Sequence, residues 1–124
     1  MPTVLVVDDD AAIREFVADV LDLEGYDVRQ AADGFAALAE IDRDRPDCVL
    51  LDVMMPGMSG HEVLAAIRDA DGGPQLPVIV LTAAADEEQS WQAWSGGVDY
   101  FLAKPFETDQ LLRFLEYLFA AADS

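Results

Sequence analysis

Four runs of apolar residues have the length of strands, and the stretches between them change to helical spacing. The runs are 4–7 (Val-Leu-Val-Val), 48–51 (Cys-Val-Leu-Leu), 78–81 (Val-Ile-Val-Leu) and the mostly apolar 98–102. A weaker fifth run covers 26–30. Short Val- and Leu-rich runs that alternate with amphipathic segments predict βα units and a parallel sheet. The first strand is read over 3–7. Asp10 is placed to cap a helix over 11 to about 24, with Ile13, Phe16, Val17, Val20 and Leu21 on one face and Gly25 as its stop. After the strand over 26–30, Asp33 is placed to cap a helix to about 43, with Phe35, Leu38 and Ile41 facing inward. The third strand covers 47–51. Ser59-Gly60-His61-Glu62 fits a capping box and opens a helix to about 69. Asp71-Gly72-Gly73-Pro74 reads as a turn. A strand over 77–81, a helix over 86 to about 95 stopped by Gly96-Gly97, a strand over 98–102 and a final helix from a Thr108 cap to about 121 complete the chain. The expectation is an α/β fold of five strands and five helices in strict alternation.

Each of the four strong runs ends in a polar residue. Residues 4–7 run into Asp8-Asp9, 48–51 into Asp52, 78–81 into Thr82, and 98–102, after Ala103, into Lys104, the sole lysine. Ligands of open α/β sheets bind beyond the carboxyl ends of the strands. The pattern therefore proposes one site with three carboxylates, a hydroxyl and an ammonium, suited to metal-assisted phosphoryl transfer. Two like charges about 4 Å apart repel by about 4 kcal/mol at an effective dielectric near 20. A hard divalent cation with oxygen ligands, such as Mg²⁺, removes that penalty. Asp52, at the end of a buried strand, is placed to form an acyl phosphate. Thr82 offers a donor, and Lys104 a mobile charge suited to phosphate. Read more plainly, Asp8-Asp9-Asp10 is an acidic run favoured by a helix dipole, a role assigned to Asp10, and Lys104 is a solvated surface lysine.

The length of 124 residues fits one domain. A net charge of −18, from seven basic and 25 acidic side chains, excludes direct binding to nucleic acid or to an anionic membrane. It reads either as a means to solubility or as adaptation to a high-salt cytoplasm. No apolar run has membrane-spanning length, and Pro2-Thr3 leads straight into a strand rather than into a signal peptide. Cys48 has no internal disulfide partner and reads as a buried hydrophobe, so the expected compartment is the cytoplasm.

Four segments together resemble the response-regulator receiver domain over the whole length, 1–124. They are Val4-Leu5-Val6-Val7-Asp8-Asp9-Asp10, Leu51-Asp52-Val53-Met54-Met55-Pro56-Gly57-Met58-Ser59-Gly60, Val80-Leu81-Thr82-Ala83 and Ala103-Lys104-Pro105-Phe106. The resemblance implies a flavodoxin-like, doubly wound sheet of order 2-1-3-4-5. It implies that Asp52 is the phosphoacceptor. Asp9, Asp52 and the Met54 carbonyl would bind Mg²⁺ (Mn²⁺ as a substitute), with Asp8 acting through an intervening water. Thr82 and the Ala83 N–H would bond the phosphoryl group, and Lys104 would pair with it through a loop whose Lys104–Pro105 bond is cis. Phe101 matches the family's switch aromatic, here without the commoner tyrosine's hydroxyl; read plainly, it is a buried residue of strand five, with Tyr100 on the opposite face. The implied partner is a sensor histidine kinase or phosphotransfer protein. The implied activity is Mg²⁺-dependent self-phosphorylation and slow autodephosphorylation, not that of a conventional enzyme.

Other residues fit this frame less directly. His61, the only histidine, reads as a solvated first-turn residue. Trp91 and Trp94 share a helical face, either packing on the sheet or meeting a partner. The last helix carries Leu111, Leu112, Phe114, Leu115, Tyr117, Leu118 and Phe119, a wider apolar face than one core stripe needs, which marks it for self-association or effector docking. The rival reading is a pseudo-receiver, a constitutive interaction module that never phosphorylates. A metal-dependent phosphatase is weaker, because Met54 stands where its acid–base aspartate belongs. A flavin site is weaker still, because Asp8-Asp9-Asp10 would repel its phosphate.

Overall fold

The computed structural model of the protein describes residues 1–52, 57–70, 75–82, 98–104 and 106–123. The expectations for Met54, Ala83, Trp91, Trp94, the turn at 71–74, the helix over 86–95, the Lys104–Pro105 bond and the side chain of Thr82 fall outside what is described.

Five strands form one parallel sheet: β1 (Thr3–Val7), β2 (Asp27–Ala31), β3 (Cys48–Asp52), β4 (Val78–Thr82) and β5 (Tyr100–Ala103), in the order β2-β1-β3-β4-β5. Four described helices accompany them: α1 (Ala11–Leu23), α2 (Gly34–Arg43), α3 (Gly60–Asp69) and α4 (Thr108–Asp123). The predicted caps at the first three helices hold. Asp10 accepts from the N–H of Ala12 and Ile13, Asp33 from Ala36, and Ser59 and Glu62 close a reciprocal capping box. Gly25 ends α1 with φ of +95°, a left-handed conformation that glycine reaches without Cβ strain.

Alternation along the strands sorts the core into two layers. Leu5, Val7, Val49, Leu51, Val78 and Val80 pack with Ala37, Val63, Leu64 and Ile67 of α2 and α3. Val4, Val6, Cys48, Leu50, Ile79, Leu81 and Leu102 pack with Val17 and Leu21 of α1 and Leu111 and Leu115 of α4. Each fully buried Val, Leu or Ile among them contributes about 1.5–3 kcal/mol relative to exposure. Phe101 lies with the first layer, and Tyr100 with the second, where its ring stacks on Phe114 at 4.4 Å.

Several details differ from the sequence reading. Phe16 and Phe35 were expected inward but are mostly exposed, and Ala18 and Ala37 lie buried on their helices instead. β5 starts at Tyr100, two residues late. Asp99 is drawn instead to the start of β4, where its carboxylate accepts the Val78 N–H at 2.8 Å. Thr108 is inside α4 rather than its cap, since the Glu107 carbonyl already accepts the Leu111 N–H.

Candidate functional site

The strand register builds the site. Val7 is level with Leu51, so Asp8 and Asp52 emerge side by side at the carboxyl ends of β1 and β3. Asp52 is level with Leu81, and Thr82 with Ala103, which brings Lys104 to the same end of the sheet. The alternation that sends Val6, Leu50 and Leu102 toward α1 and α4 continues into Asp8, Asp52 and Lys104.

These groups meet. Asp8 is fully buried and Asp52 only 4% exposed, whereas Asp9 faces solvent. One carboxylate oxygen from each lies within 4.8 Å of the other two. Isolated charges so far from water would be prohibitive. Lys104 supplies compensation: its Nζ lies 3.0 Å from Asp8 Oδ2 and 3.3 Å from Asp52 Oδ1. Sequence reasoning placed a metal among the aspartates and gave Lys104 to the phosphoryl group. In the structure the ammonium itself bridges Asp8 and Asp52. Burial works against that ammonium, but the hydrogen bond to Asp8 and the fields of Asp52 and Asp8 outweigh it, so its pKa lies above the ordinary lysine value.

The remaining polar atoms of Asp8 are also engaged. Its Oδ1 accepts the Asp10 N–H at 2.9 Å, its N–H donates to the Ala31 carbonyl at 3.2 Å, and its carbonyl accepts from Arg14 Nη1 at 2.8 Å. Arg14 escaped the sequence reading, because a partly exposed arginine on a helix resembles any solvated one.

Three carboxylates against one ammonium leave the cluster net negative, and its oxygen-only donors fit a hard divalent cation. The described residues thus unite Asp8, Asp9, Asp52 and Lys104, with the backbone of Thr82 at the end of the neighbouring β4. Phe101 is half-buried in β5, and His61 sits exposed in the first turn of α3. Cys48 is buried in β3, where burial raises its thiol pKa and keeps it inert.

The sequence pattern of the response regulator receiver domain matches residues 4–116. The chain belongs to the response-regulator receiver family. Response regulator MprA of Mycolicibacterium vanbaalenii is 45% identical to it over 109 residues, 88% of this chain and 46% of that protein. The Synechocystis protein RpaA, described as a DNA-binding dual master transcriptional regulator, is 35% identical over 123 residues, 99% of this chain and 51% of that one. This receiver therefore spans about half the length of the curated relatives it matches. Among solved structures, chemotaxis response regulator CheY4 of Vibrio cholerae superposes with a TM-score of 0.88 at 36% identity, covering 95% of this chain and 98% of that one. The receiver fold is accordingly flavodoxin-like, with the expected strand order. No helix among the described residues is long and apolar enough to cross a membrane.

Proposed function

We propose that this receiver is the phosphoryl-accepting switch of a two-component phosphorelay, and that Asp52 takes the phosphoryl group from the phosphohistidine of a sensor kinase or phosphotransfer protein. The observation that carries this reading is the Asp52 carboxylate, almost fully buried at the end of β3, sharing its oxygen cluster with Asp8 and Asp9 and its ammonium with Asp8. An Asp52 oxygen attacks phosphorus in line, the P–O bond forms, and the P–N bond to the donor imidazole breaks. Such transfer needs positioning and charge neutralisation more than covalent help from the protein. Lys104 turns from the carboxylates to a phosphoryl oxygen, while the Thr82 hydroxyl and Ala83 N–H donate to the others. Asp8, Asp9 and Asp52, with the Met54 carbonyl, would hold Mg²⁺, which supplies positive charge against the incoming phosphoryl group.

The bonds drawn to the phosphoryl group bias the face made by the predicted helix over 86–95, β5 and α4. Phe101 turns inward as the loop after β4 shifts. Only a difference in affinity between two states moves such an equilibrium, and the charge-assisted bonds to Thr82 and Lys104 supply it. That face then meets an effector or a second copy. The acidic surface argues against direct contact with nucleic acid, so any DNA-binding output belongs to another domain or partner. The compartment that fits is the cytoplasm.

With Mg²⁺ and a small acyl phosphate, intact mass should rise by one phosphoryl group in wild type and not in Asp52→Ala. A variant that gains the same base-labile phosphate would move the acceptor elsewhere. A beryllofluoride mimic should change Trp91 and Trp94 fluorescence in wild type but not in Asp52→Asn. Phosphorylation without that change would leave an acceptor with no switch attached and favour the interaction-module reading.

A further inference from the structure

Arg14 stands on the first turns of α1 and reaches back across the carboxyl end of the sheet. Its Nη1 donates to the Asp8 carbonyl at 2.8 Å, and its Nε donates to Gln30 Oε1 of β2 at 3.1 Å. The bonded carbonyl belongs to the peptide that joins Asp8 to Asp9, two of the three carboxylates in the cluster. The orientation of that peptide plane sets the direction in which both side chains leave the backbone. We propose that Arg14 is a positioning residue for the metal site: braced against Gln30, it holds the Asp8–Asp9 peptide so that both carboxylates converge with Asp52. This rests on the reading of the cluster as an Mg²⁺ site.

Charge and geometry make opposite demands here, which gives the inference its test. The guanidinium is permanently positive, so by Coulomb's law alone its removal should tighten binding of a cation. Loss of its grip on the peptide should weaken binding, in the range of about 10–100-fold that partners of metal ligands typically control. Lysine keeps the charge but lacks the rigid fork that reaches two acceptors at once.

The experiment is Mg²⁺ titration by calorimetry, with Mn²⁺ electron paramagnetic resonance as a second readout, on wild type, Arg14→Gln, Arg14→Lys and Gln30→Ala. Circular dichroism first shows that each is folded. Arg14→Gln should bind Mg²⁺ at least tenfold more weakly despite losing a positive charge. Arg14→Lys should also be weakened, and Gln30→Ala by a few-fold. Unchanged or tighter binding by Arg14→Gln, or wild-type affinity in Arg14→Lys, would overturn the inference and leave the site reading intact. If wild type takes up no Mg²⁺, the site reading falls and the inference with it. Should the Arg14 variants fail to fold, Gln30→Ala decides, because unchanged affinity there removes the brace from the argument.

Discussion

Asp8 and Asp52 are charges held out of water, and the Lys104 ammonium makes them tolerable. Without it, two buried carboxylates face each other. Lys104→Met should therefore destabilise the metal-free protein by about 3 kcal/mol, the lower end for an orphaned buried charge because Lys104 keeps some exposure. Denaturant midpoints measure this, and an unchanged midpoint would show that the bridge contributes nothing. The pH dependence has a definite sign. The Lys104 pKa is raised on folding, so its contribution is complete below the unfolded lysine value of about 10.4 and is lost as pH climbs through the higher folded value. Wild type should thus lose stability on the alkaline side more steeply than Lys104→Met. Asp9 behaves differently because it is exposed. Asp9→Asn relieves like-charge repulsion, so the metal-free variant should melt higher than wild type, while its gain on adding Mg²⁺ should shrink. A lower melting temperature would mean that bonds hold Asp9 in place.

At the scale of elements, the sheet extends its ladders with side chains. Asp47 accepts the Thr3 N–H at 2.7 Å, and Asp99 accepts the Val78 N–H at 2.8 Å, each at the amino end of a strand. Asp99→Ala should cost about 1.5 kcal/mol, the low end for a hydrogen bond to a charged group, because Asp99 is itself exposed. Chemical denaturation checks it, and no loss would mean that water replaces the carboxylate fully. Such bonds were not legible in the sequence, where Asp47 and Asp99 read as ordinary strand residues. The strands themselves were legible, because a sheet covered on both faces demands unbroken apolar runs, and so were the caps of α1, α2 and α3, which are local. The exposure of Phe16 and Phe35 was not, because the apolar period marks a helix face while the fit against the sheet decides which of its members are covered. The same division holds at the site. The aspartates and Lys104 announce themselves by ending strands, whereas the bridge from Lys104 to Asp8 and the grip of Arg14 depend on register and reach.

Over the whole molecule, 25 acidic side chains against seven basic ones give a charge of −18 that the site accounts for only in small part. The rest repels itself across the surface and opposes the compact state. Screening lengths fall from about 10 Å at 0.1 M salt to about 3 Å at 1 M. The melting temperature should accordingly rise with KCl into the molar range, most steeply where the screening length shortens fastest. A flat response would show that the carboxylates are spaced widely enough to ignore one another, and would remove the case for a high-salt host.

Lys104 and Asp8 lie 96 positions apart. A ribosome adding about 5–20 residues per second needs roughly 5–20 s to pass from one to the other. Through that interval the nascent chain already carries Asp8 but not the lysine that bridges it to Asp52. An unfinished copy therefore cannot close the bridge that compensates its buried carboxylates. The cluster is complete only after β5 and the lysine that follows it have been made.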